Sequence, residues 1–298
     1  MKIYFLLIVL TSQLVSGAVI NNPTVAYGKI VSIQIDDKVT IHHYETSFPI
    51  LVNSYIIELP TKLVIFDAQY ILPAANEFLL HARSLNKPID RVIISHSHPD
   101  HYFGLEVFTN VAPIYALDET IREIAMTAYY YIGKNRQTLR DLVPMYATFP
   151  TRVQRESTEI IDDVTFNFMR IQRTEASNTL VMILPAQRSI FIGDLVFNEV
   201  HYYLAERNFD SWMNTLKDFQ RDFLFFNLFQ GHGTPTTTLR LHDNIEYLDF
   251  AKQTYLSSPN FKAFKIAMTE KYPTYKLDSI LDLAENYLYP KQRIFLKG

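Results

Sequence analysis

The 298-residue sequence contains no cysteine. Disulfide bonds, thiolate ligands for a metal ion and catalysis by a cysteine nucleophile are therefore excluded. Only 8 glycines are present, and none forms the glycine-rich loop that cradles phosphate groups in nucleotide-binding proteins. The sequence also has no Gly-x-Ser-x-Gly segment, the turn that presents the nucleophilic serine of many hydrolases.

Basic residues are few and scattered. No run of lysine or arginine occurs, and the formal net charge is −3. Because nucleic-acid binding normally depends on a concentrated basic surface, the sequence predicts no nucleic-acid partner. The expected partner is a small-molecule substrate. The sequence also contains no fixed-period repeat and no low-complexity segment.

The one long apolar run lies close to the start of the chain. Residues 3–10 are apolar, follow the basic Lys2 and precede small residues near Gly17. This pattern predicts a secretory signal peptide over residues 1–17, with an uncleaved anchor or a buried first strand as the alternatives. A transmembrane helix needs about 20 apolar residues. We therefore expect an exported protein, periplasmic or extracellular, with no stable membrane span after cleavage.

The remaining residues, 18–298, have the composition of one large domain. Apolar residues make up 48% of the sequence and aromatic residues 14%, which is enough for a sizeable core without covalent cross-links. Strands alternate with helices in two halves, residues 28–134 and 160–256, and closing helices follow from about residue 257. Predicted strands cover residues 28–36, 38–44, 51–59, 62–67, 91–95, 113–117, a pair within 160–171, 180–184, 189–192 and 224–229; predicted helices cover 73–84, 104–108, 118–134, 209–219 and 236–256.

A cluster of metal-binding residue types follows the strand at 91–95. Three histidines and one aspartate fall within six positions, at His96, His98, Asp100 and His101. Imidazole nitrogen and carboxylate oxygen are preferred ligands of zinc and similar ions. Pro99 argues against a helix that continues through the cluster, so these side chains are expected on a loop at the end of a core strand. The alternative is a histidine-rich surface loop.

The pattern His-x-His-x-Asp-His after a hydrophobic strand resembles the signature of the metallo-β-lactamase superfamily. Two later stretches, Gly193-Asp194 and Gly231-His232-Gly233, follow in the order expected for that family. The resemblance implies an α/β fold, a four-layer αββα sandwich in which two mixed sheets pack face to face with helices outside. It also implies a metal centre at one edge, between the two halves of the chain.

The resemblance further implies two divalent metal ions, zinc in preference to iron or manganese. It assigns His96 and His98 to the first ion, Asp194 to a bridging position, and Asp100, His101 and His232 to the second ion. Most relatives place a third histidine of the first ion before the hairpin at 180–192, where this chain has Glu175. Glu175 is either a ligand or a loop carboxylate beside a weakened first site, and both interpretations remain open.

Several other residues are candidates for the same site. Asp67, at a strand end, either holds a ligand histidine or is an ordinary turn carboxylate. His201 is a candidate for substrate contact or proton transfer, against a surface position. The Tyr102-Phe103 pair narrows the entrance to the site or packs beneath it. Tyr129 to Tyr131 and the Met145-Tyr146 pair wall a substrate pocket or belong to the core.

The predicted reaction is metal-assisted hydrolysis of an ester, lactone, amide, sulfate ester or phosphate ester. Two neighbouring divalent ions lower the pKa of a bridging water and hold the attacking and leaving oxygens, and Asp100 can orient the resulting hydroxide. Two alternatives remain: an exported metal-binding or ligand-binding protein of the same fold with little turnover, and a di-iron oxidoreductase.

Overall fold

The computed structural model describes residues 20–21 and 27–290. The predicted signal peptide at residues 1–17 lies outside these residues. Within them, no helix combines the length and apolar character that crossing a membrane requires.

The first sheet carries the strands of the N-terminal half in chain order. Its antiparallel part ends at β5, and the neighbours from β5 to β8 are parallel. The four strands predicted over residues 28–67 are confirmed. The strands are β1 (Ile20–Asn21), β2 (Gly28–Gln34), β3 (Thr40–Thr46), β4 (Val52–Glu58), β5 (Leu63–Phe66), β6 (Ile89–Ile93), β7 (Ile114–Ala116) and β8 (Arg152–Val153).

The second sheet carries the strands of the C-terminal half, and its β12–β13 pair is parallel while its other pairs are antiparallel. Its strands are β9 (Ser157–Ile161), β10 (Val164–Gln172), β11 (Asn178–Leu184), β12 (Ser189–Phe197), β13 (Asn227–His232) and β14 (Thr236–Thr237). The strand predicted over residues 224–229 is observed over residues 227–232, so both predicted ends are wrong by three residues. Leu224 and Phe225 are exposed, and Phe225 has a φ of 60°, so these apolar residues form a turn instead.

The helices are α1 (Leu72–Ser84), α2 (Pro99–Tyr102), α3 (Leu105–Phe108), α4 (Asp118–Leu139), α5 (Phe209–Asp222), α6 (Leu241–Ser257), α7 (Phe261–Lys271), α8 (Asp278–Leu283) and α9 (Glu285–Leu288). Helix α4 extends past the predicted end at residue 134. The helix predicted from residue 236 begins later, because residues 236–237 pair as β14 and residues 238–240 form a 3₁₀ turn.

Three apolar clusters divide the molecule into layers. The central cluster joins the two sheets, with Ile57 and Phe66 of the first sheet packed among Phe166, Leu180 and Phe229 of the second. A second cluster packs α1, α3 and α4 against the outer face of the first sheet. The third packs α5 to α9 against the outer face of the second sheet. The predicted four-layer sandwich is confirmed.

The two sheets are hydrogen-bonded to each other where β4 approaches β13. The Asn53 side chain donates to the carbonyls of Gln230 (2.9 Å) and Gly233 (2.7 Å). The Tyr55 hydroxyl donates to the same Gln230 carbonyl at 2.6 Å. These buried bonds fix the end of β13, which carries His232, against the first sheet.

Candidate metal centre

The loop after β6 separates the clustered side chains into two pairs. His96 lies in a bend, and His98 has an extended backbone with φ −78° and ψ 141°, as expected for a residue before proline. Pro99 occupies the first turn of α2, where its missing N–H costs nothing. Asp100 and His101 therefore lie on a helical turn and are directed differently from the two preceding histidines.

One group of potential ligand atoms comes from His96, His98, Glu175 and Asp194, all within 4.8 Å of one another. His98 Nδ1 lies 3.0 Å from Glu175 Oε1, and His96 Nε2 lies 3.6 Å from Glu175 Oε2. His96 Nε2 also lies 3.9 Å from Asp194 Oδ2. The structure thus brings Glu175 to the two histidines that the sequence assigned to a first ion.

A second group of potential ligand atoms, also within 4.8 Å of one another, comes from Asp100, His101, Asp194 and His232. His232 Nε2 lies 3.0 Å from Asp194 Oδ2 and 3.2 Å from Asp100 Oδ2. His101 Nε2 lies 3.3 Å from Asp194 Oδ1 and 3.5 Å from Asp100 Oδ2. Asp194 belongs to both groups and joins them.

Several atoms of these groups are buried without a hydrogen bond. Among the described residues, both carboxylate oxygens of Glu175, Asp194 Oδ1 and His101 Nε2 have no hydrogen-bond partner. Burying such atoms unpaired is costly, and native proteins normally avoid it. Convergent nitrogen and oxygen atoms without hydrogen-bond geometry fit the ligand sets of divalent ions. The two groups therefore fit two such ions.

Mutual electrostatics control the protonation of these side chains. Burial alone would raise the pKa of Asp194, but His232 and His101 hold it well below the ordinary value. Burial opposes charge on His232, yet Asp194 and Asp100 raise its pKa to about 10. Burial raises the pKa of Glu175 to about 7. Asp194 therefore remains a carboxylate at neutral pH, the form that binds a cation.

Hydrogen bonds behind the cluster set the orientation of its histidines. Asp67 Oδ2 accepts from His101 Nδ1 at 2.9 Å, and Asp67 also accepts from the Ser95 N–H and hydroxyl, each at 2.8 Å. His232 Nδ1 contacts the carbonyl of Leu51. Metal-binding histidines typically donate their second nitrogen in this way, which leaves Nε2 for the ion. The interpretation of Asp67 as a partner of a cluster histidine is confirmed.

Glu123 of α4 connects two segments of the first group, and the sequence analysis missed it. Its carboxylate accepts from the Ser97 hydroxyl at 2.8 Å and from the Asn178 amide at 3.1 Å. Ser97 stands between His96 and His98, and Asn178 lies three residues after Glu175. A lone glutamate in an amphipathic helix gives no sequence signal for such a role.

A glycine provides the space that Asp194 occupies. A Cβ added at Gly231 would lie 1.9 Å from Asp194 Oδ1 and 2.7 Å from His101 Cε1. No side chain fits there while Asp194 keeps its position. The Gly-His-Gly stretch therefore contributes close packing as well as the position of His232.

A cavity of about 270 Å³ opens onto the cluster. Its walls are mainly apolar or aromatic, and its floor includes His98, Asp100, Glu175, Asp194 and His232. The other lining residues are Pro49, Ile50, Tyr70, Pro99, Tyr131, Lys134, Asn135, Thr138, Leu139, Tyr203, Ile280, Leu283 and Tyr287.

The remaining candidates lie in different places. His201 is buried beside Tyr247 and Tyr275, hydrogen-bonds the Tyr247 hydroxyl at 2.9 Å, and does not line the cavity. The structure therefore does not bring His201 to the cluster, because its chain segment turns into the helical layer.

The aromatic candidates also divide. Tyr102 and Phe103 are buried, so they pack beneath the site and do not narrow its entrance. Tyr131 lines the cavity, whereas its neighbours Tyr129 and Tyr130 are exposed. Met145 and Tyr146 are likewise exposed and do not line it.

Comparison with known proteins agrees with this geometry. The family model described as the metallo-beta-lactamase superfamily matches residues 48–225, more than half of the chain. The chain belongs to the metallo-β-lactamase superfamily. Most members of this superfamily are hydrolases. Membership therefore supports a metal-dependent hydrolase and does not specify the activity.

Solved structures of the family share its fold. A metallo-beta-lactamase from Pontibacter korlensis aligns with a TM-score of 0.61 and 18% identity, covering 74% of this chain and 99% of that one. The structure of VMB-1 aligns with a TM-score of 0.59 and 14% identity, covering 75% and 97%. At these identities the likeness establishes the fold alone.

A curated relative comes from Saccharomyces cerevisiae. Alkyl/aryl-sulfatase BDS1 is 24% identical over 206 residues, which cover 57% of this chain and 32% of that protein. The chain thus spans about a third of the length of this relative.

Proposed function

We propose that the protein is a hydrolase that uses two divalent metal ions, most suitably zinc, to cleave an ester, lactone, amide or related bond. The observation that carries this proposal is the pair of ligand groups that share Asp194. The unpaired buried atoms of Glu175 and His101 and the family's prevailing chemistry support it.

In this proposal the two groups have separate tasks. His96, His98 and Glu175 would hold the first ion, and Asp100, His101 and His232 would hold the second. Asp194 would serve both ions, since it belongs to both groups. Two histidines and a carboxylate are an established ligand set for zinc, although carboxylates also suit iron and manganese.

The side chains of the cavity prepare the reaction. When bound, the ions supply a water of lowered pKa and polarise the bond to be cleaved. Asp100 lines the cavity and can accept a hydrogen bond from the attacking water, which fixes its direction. The apolar wall offers a surface that the apolar part of a substrate can contact.

The substrate proposal stays at the level of the bond. A sulfate ester belongs among the candidates because a relative is named an alkyl/aryl-sulfatase. Export by the signal peptide proposed over residues 1–17 would place the enzyme outside the cytoplasm, supported by the apolar run at residues 3–10.

Two substitutions test the site. Asp194→Ala and His232→Ala should each lower metal-dependent hydrolysis of an ester, lactone or sulfate panel by at least about a thousandfold, because each removes ligands of the second ion. His242→Ala, at an exposed position of α6, is the matched control and should retain activity. Circular dichroism verifies the fold, and full activity in either site variant would refute the assignment.

A further inference from the structure

The cavity brings together two walls that lie far apart in the sequence. Tyr131 and Leu139 come from α4, and Ile280, Leu283 and Tyr287 come from α8 and α9. The last two elements lie outside the family-model match. Leu283 and Tyr287 are 53% and 52% exposed. Exposed apolar side chains around a concave site commonly contact an apolar ligand.

The polar side chains of this wall follow one face of α4. Tyr131, Lys134, Asn135 and Thr138 are spaced three, four and seven residues apart, so they face the same side. The Asn135 amide donates to the Tyr131 carbonyl at 2.8 Å and accepts from the Tyr70 hydroxyl. The Thr138 hydroxyl donates to the Asn135 carbonyl at 3.3 Å. The Asn135 and Thr138 side chains therefore already have partners.

The Lys134 ammonium differs from these neighbours. Among the described residues, no carboxylate lies within 4.0 Å of it, and no other lysine or arginine lines the cavity. An ammonium without an ionic partner beside an apolar wall is able to bind an anionic group of a ligand.

The charge of the loaded cavity favours the same kind of ligand. The lining contains three carboxylates, Asp100, Glu175 and Asp194. Two divalent ions balance the charge of these carboxylates and of one hydroxide, and Lys134 adds a positive charge. Complementary charge raises the local concentration of anions in such a cleft.

We propose that the substrate is a small molecule whose apolar body also carries an anionic group, placed away from the bond to be cleaved and bound by Lys134. This inference rests on the proposed hydrolase function. The apolar body contacts Tyr131, Leu283 and Tyr287. The volume of about 270 Å³ lies near the lower end of ligand pockets, roughly 300 Å³, so the ligand is small.

A matched pair of esters tests the anionic preference. With the metal-loaded enzyme, kcat/KM is measured for 4-acetoxybenzoate and for its neutral isostere 4-acetoxybenzamide. Lys134→Met should lower the ratio of kcat/KM for the benzoate to kcat/KM for the benzamide about threefold, because an exposed ion pair contributes modestly to the binding free energy. The difference in this ratio between wild type and Lys134→Met should shrink at high salt. Lys134→Arg should retain the ratio, as should Lys217→Met, a control at an exposed position of α5.

A binding measurement separates this inference from the hydrolase proposal. The ketone 4-(2-oxopropyl)benzoate replaces the ester oxygen by CH₂ and is not hydrolysed. Its affinity, measured by calorimetry, should fall about threefold in Lys134→Met. If neither ester reacts but this loss is observed, the hydrolase proposal fails and the anion subsite stands. An unchanged ester ratio and an unchanged affinity in Lys134→Met would overturn the subsite.

Discussion

Asp194 is the residue on which both ligand groups depend. It lies within a strand whose pairing with β13 shifts register on either side of Gly193, and Gly193 has a φ of 54°. This irregularity leaves room for a carboxylate that approaches His101 and His232 at once. Regular strand backbone would hold neighbouring side chains on alternate faces.

Gly231→Ala tests how tightly the Asp194 position is defined. The added methyl group would overlap Asp194 Oδ1, so the carboxylate has to move. We expect the loss of at least one bound ion and a fall in the rate of hydrolysis of about a hundredfold. Substitutions of groups that orient metal ligands typically have effects of this size. Gly133→Ala is the matched control, since a Cβ there meets nothing within 4 Å. Wild-type metal content in Gly231→Ala would show that the glycine is dispensable.

Histidines illustrate what a sequence reveals at this scale. His232 is predictable because glycines flank it at the end of an apolar strand. His201 has no comparable context, and its burial beside Tyr247 depends on helices that arrive much later in the chain. A single residue type therefore predicts chemistry only when local sequence also fixes its backbone.

Helix α4 is the element that organises the first ligand group. It reaches the loop at Ser97 and the start of β11 at Asn178 through one carboxylate, that of Glu123. The same helix carries Lys134 and part of the cavity wall. The helix itself is predictable from its apolar spacing, but the partners of its polar face depend on tertiary packing.

Glu123→Gln tests the connection made by this helix. The amide keeps the shape but weakens acceptance from Ser97 and Asn178, so the affinity of the first ion should fall by about 10- to 100-fold. Competition with a chelator measures this affinity, and the melting temperature should change little. Glu119→Gln is the control, because Glu119 lies on the same helix and contacts Arg170 of β10 instead. Equal affinities in all three proteins would exclude a positioning role.

Helix α1 meets the first sheet through a pair of histidines. His81 Nε2 lies 3.2 Å from His42 Nδ1, and the two ring centroids are 5.0 Å apart. The pKa of His81 is lowered from 6.5 to about 4. Burial is the larger cause, and repulsion from His42 is the second. Two imidazolium ions at this distance would repel each other.

This pair predicts a pH dependence of stability. Between pH 6.5 and 4 the unfolded chain binds a proton at His81 that the folded chain does not, so the free energy of unfolding falls as pH falls through this window. Above pH 6.5 the contribution of His81 is complete. The free energy of unfolding of His81→Gln, measured with urea, should therefore decline less steeply than that of wild type as pH falls from 6.5 to 4. Parallel curves for the two proteins would contradict this linkage.

At the scale of the whole molecule, the cluster joins two halves of the chain. His96 and His101 follow β6 of the first sheet, whereas Asp194 and His232 lie on β12 and β13 of the second, and Glu175 lies on the loop between β10 and β11. The motifs made the family, the sandwich and the juxtaposition of these residues predictable from sequence. The His-x-His-x-Asp-His motif follows β6 and His232 ends β13, whereas Gly193-Asp194 lies within β12, which extends beyond the predicted end at residue 192.

The closing helices mark the limit of that prediction. Residues 257–290 carry no motif, yet Ile280, Leu283 and Tyr287 form part of the cavity wall. Their position depends on contacts such as the Lys276 carbonyl with the His201 N–H at 2.8 Å, between segments far apart in sequence. No local pattern encodes such contacts, so the shape of the cavity could not be predicted.

The number of bound ions tests the binuclear site most directly. Native mass spectrometry of the zinc-loaded protein should count two ions in wild type and in Glu246→Ala, an exposed control on α6. Glu175→Ala should hold one ion, because the first group loses the carboxylate that lies 3.0 Å from His98 Nδ1, and Glu175→His should restore the second. Fewer than two ions in wild type, or two in Glu175→Ala, would contradict the assignment of Glu175 as a metal ligand in a two-ion centre.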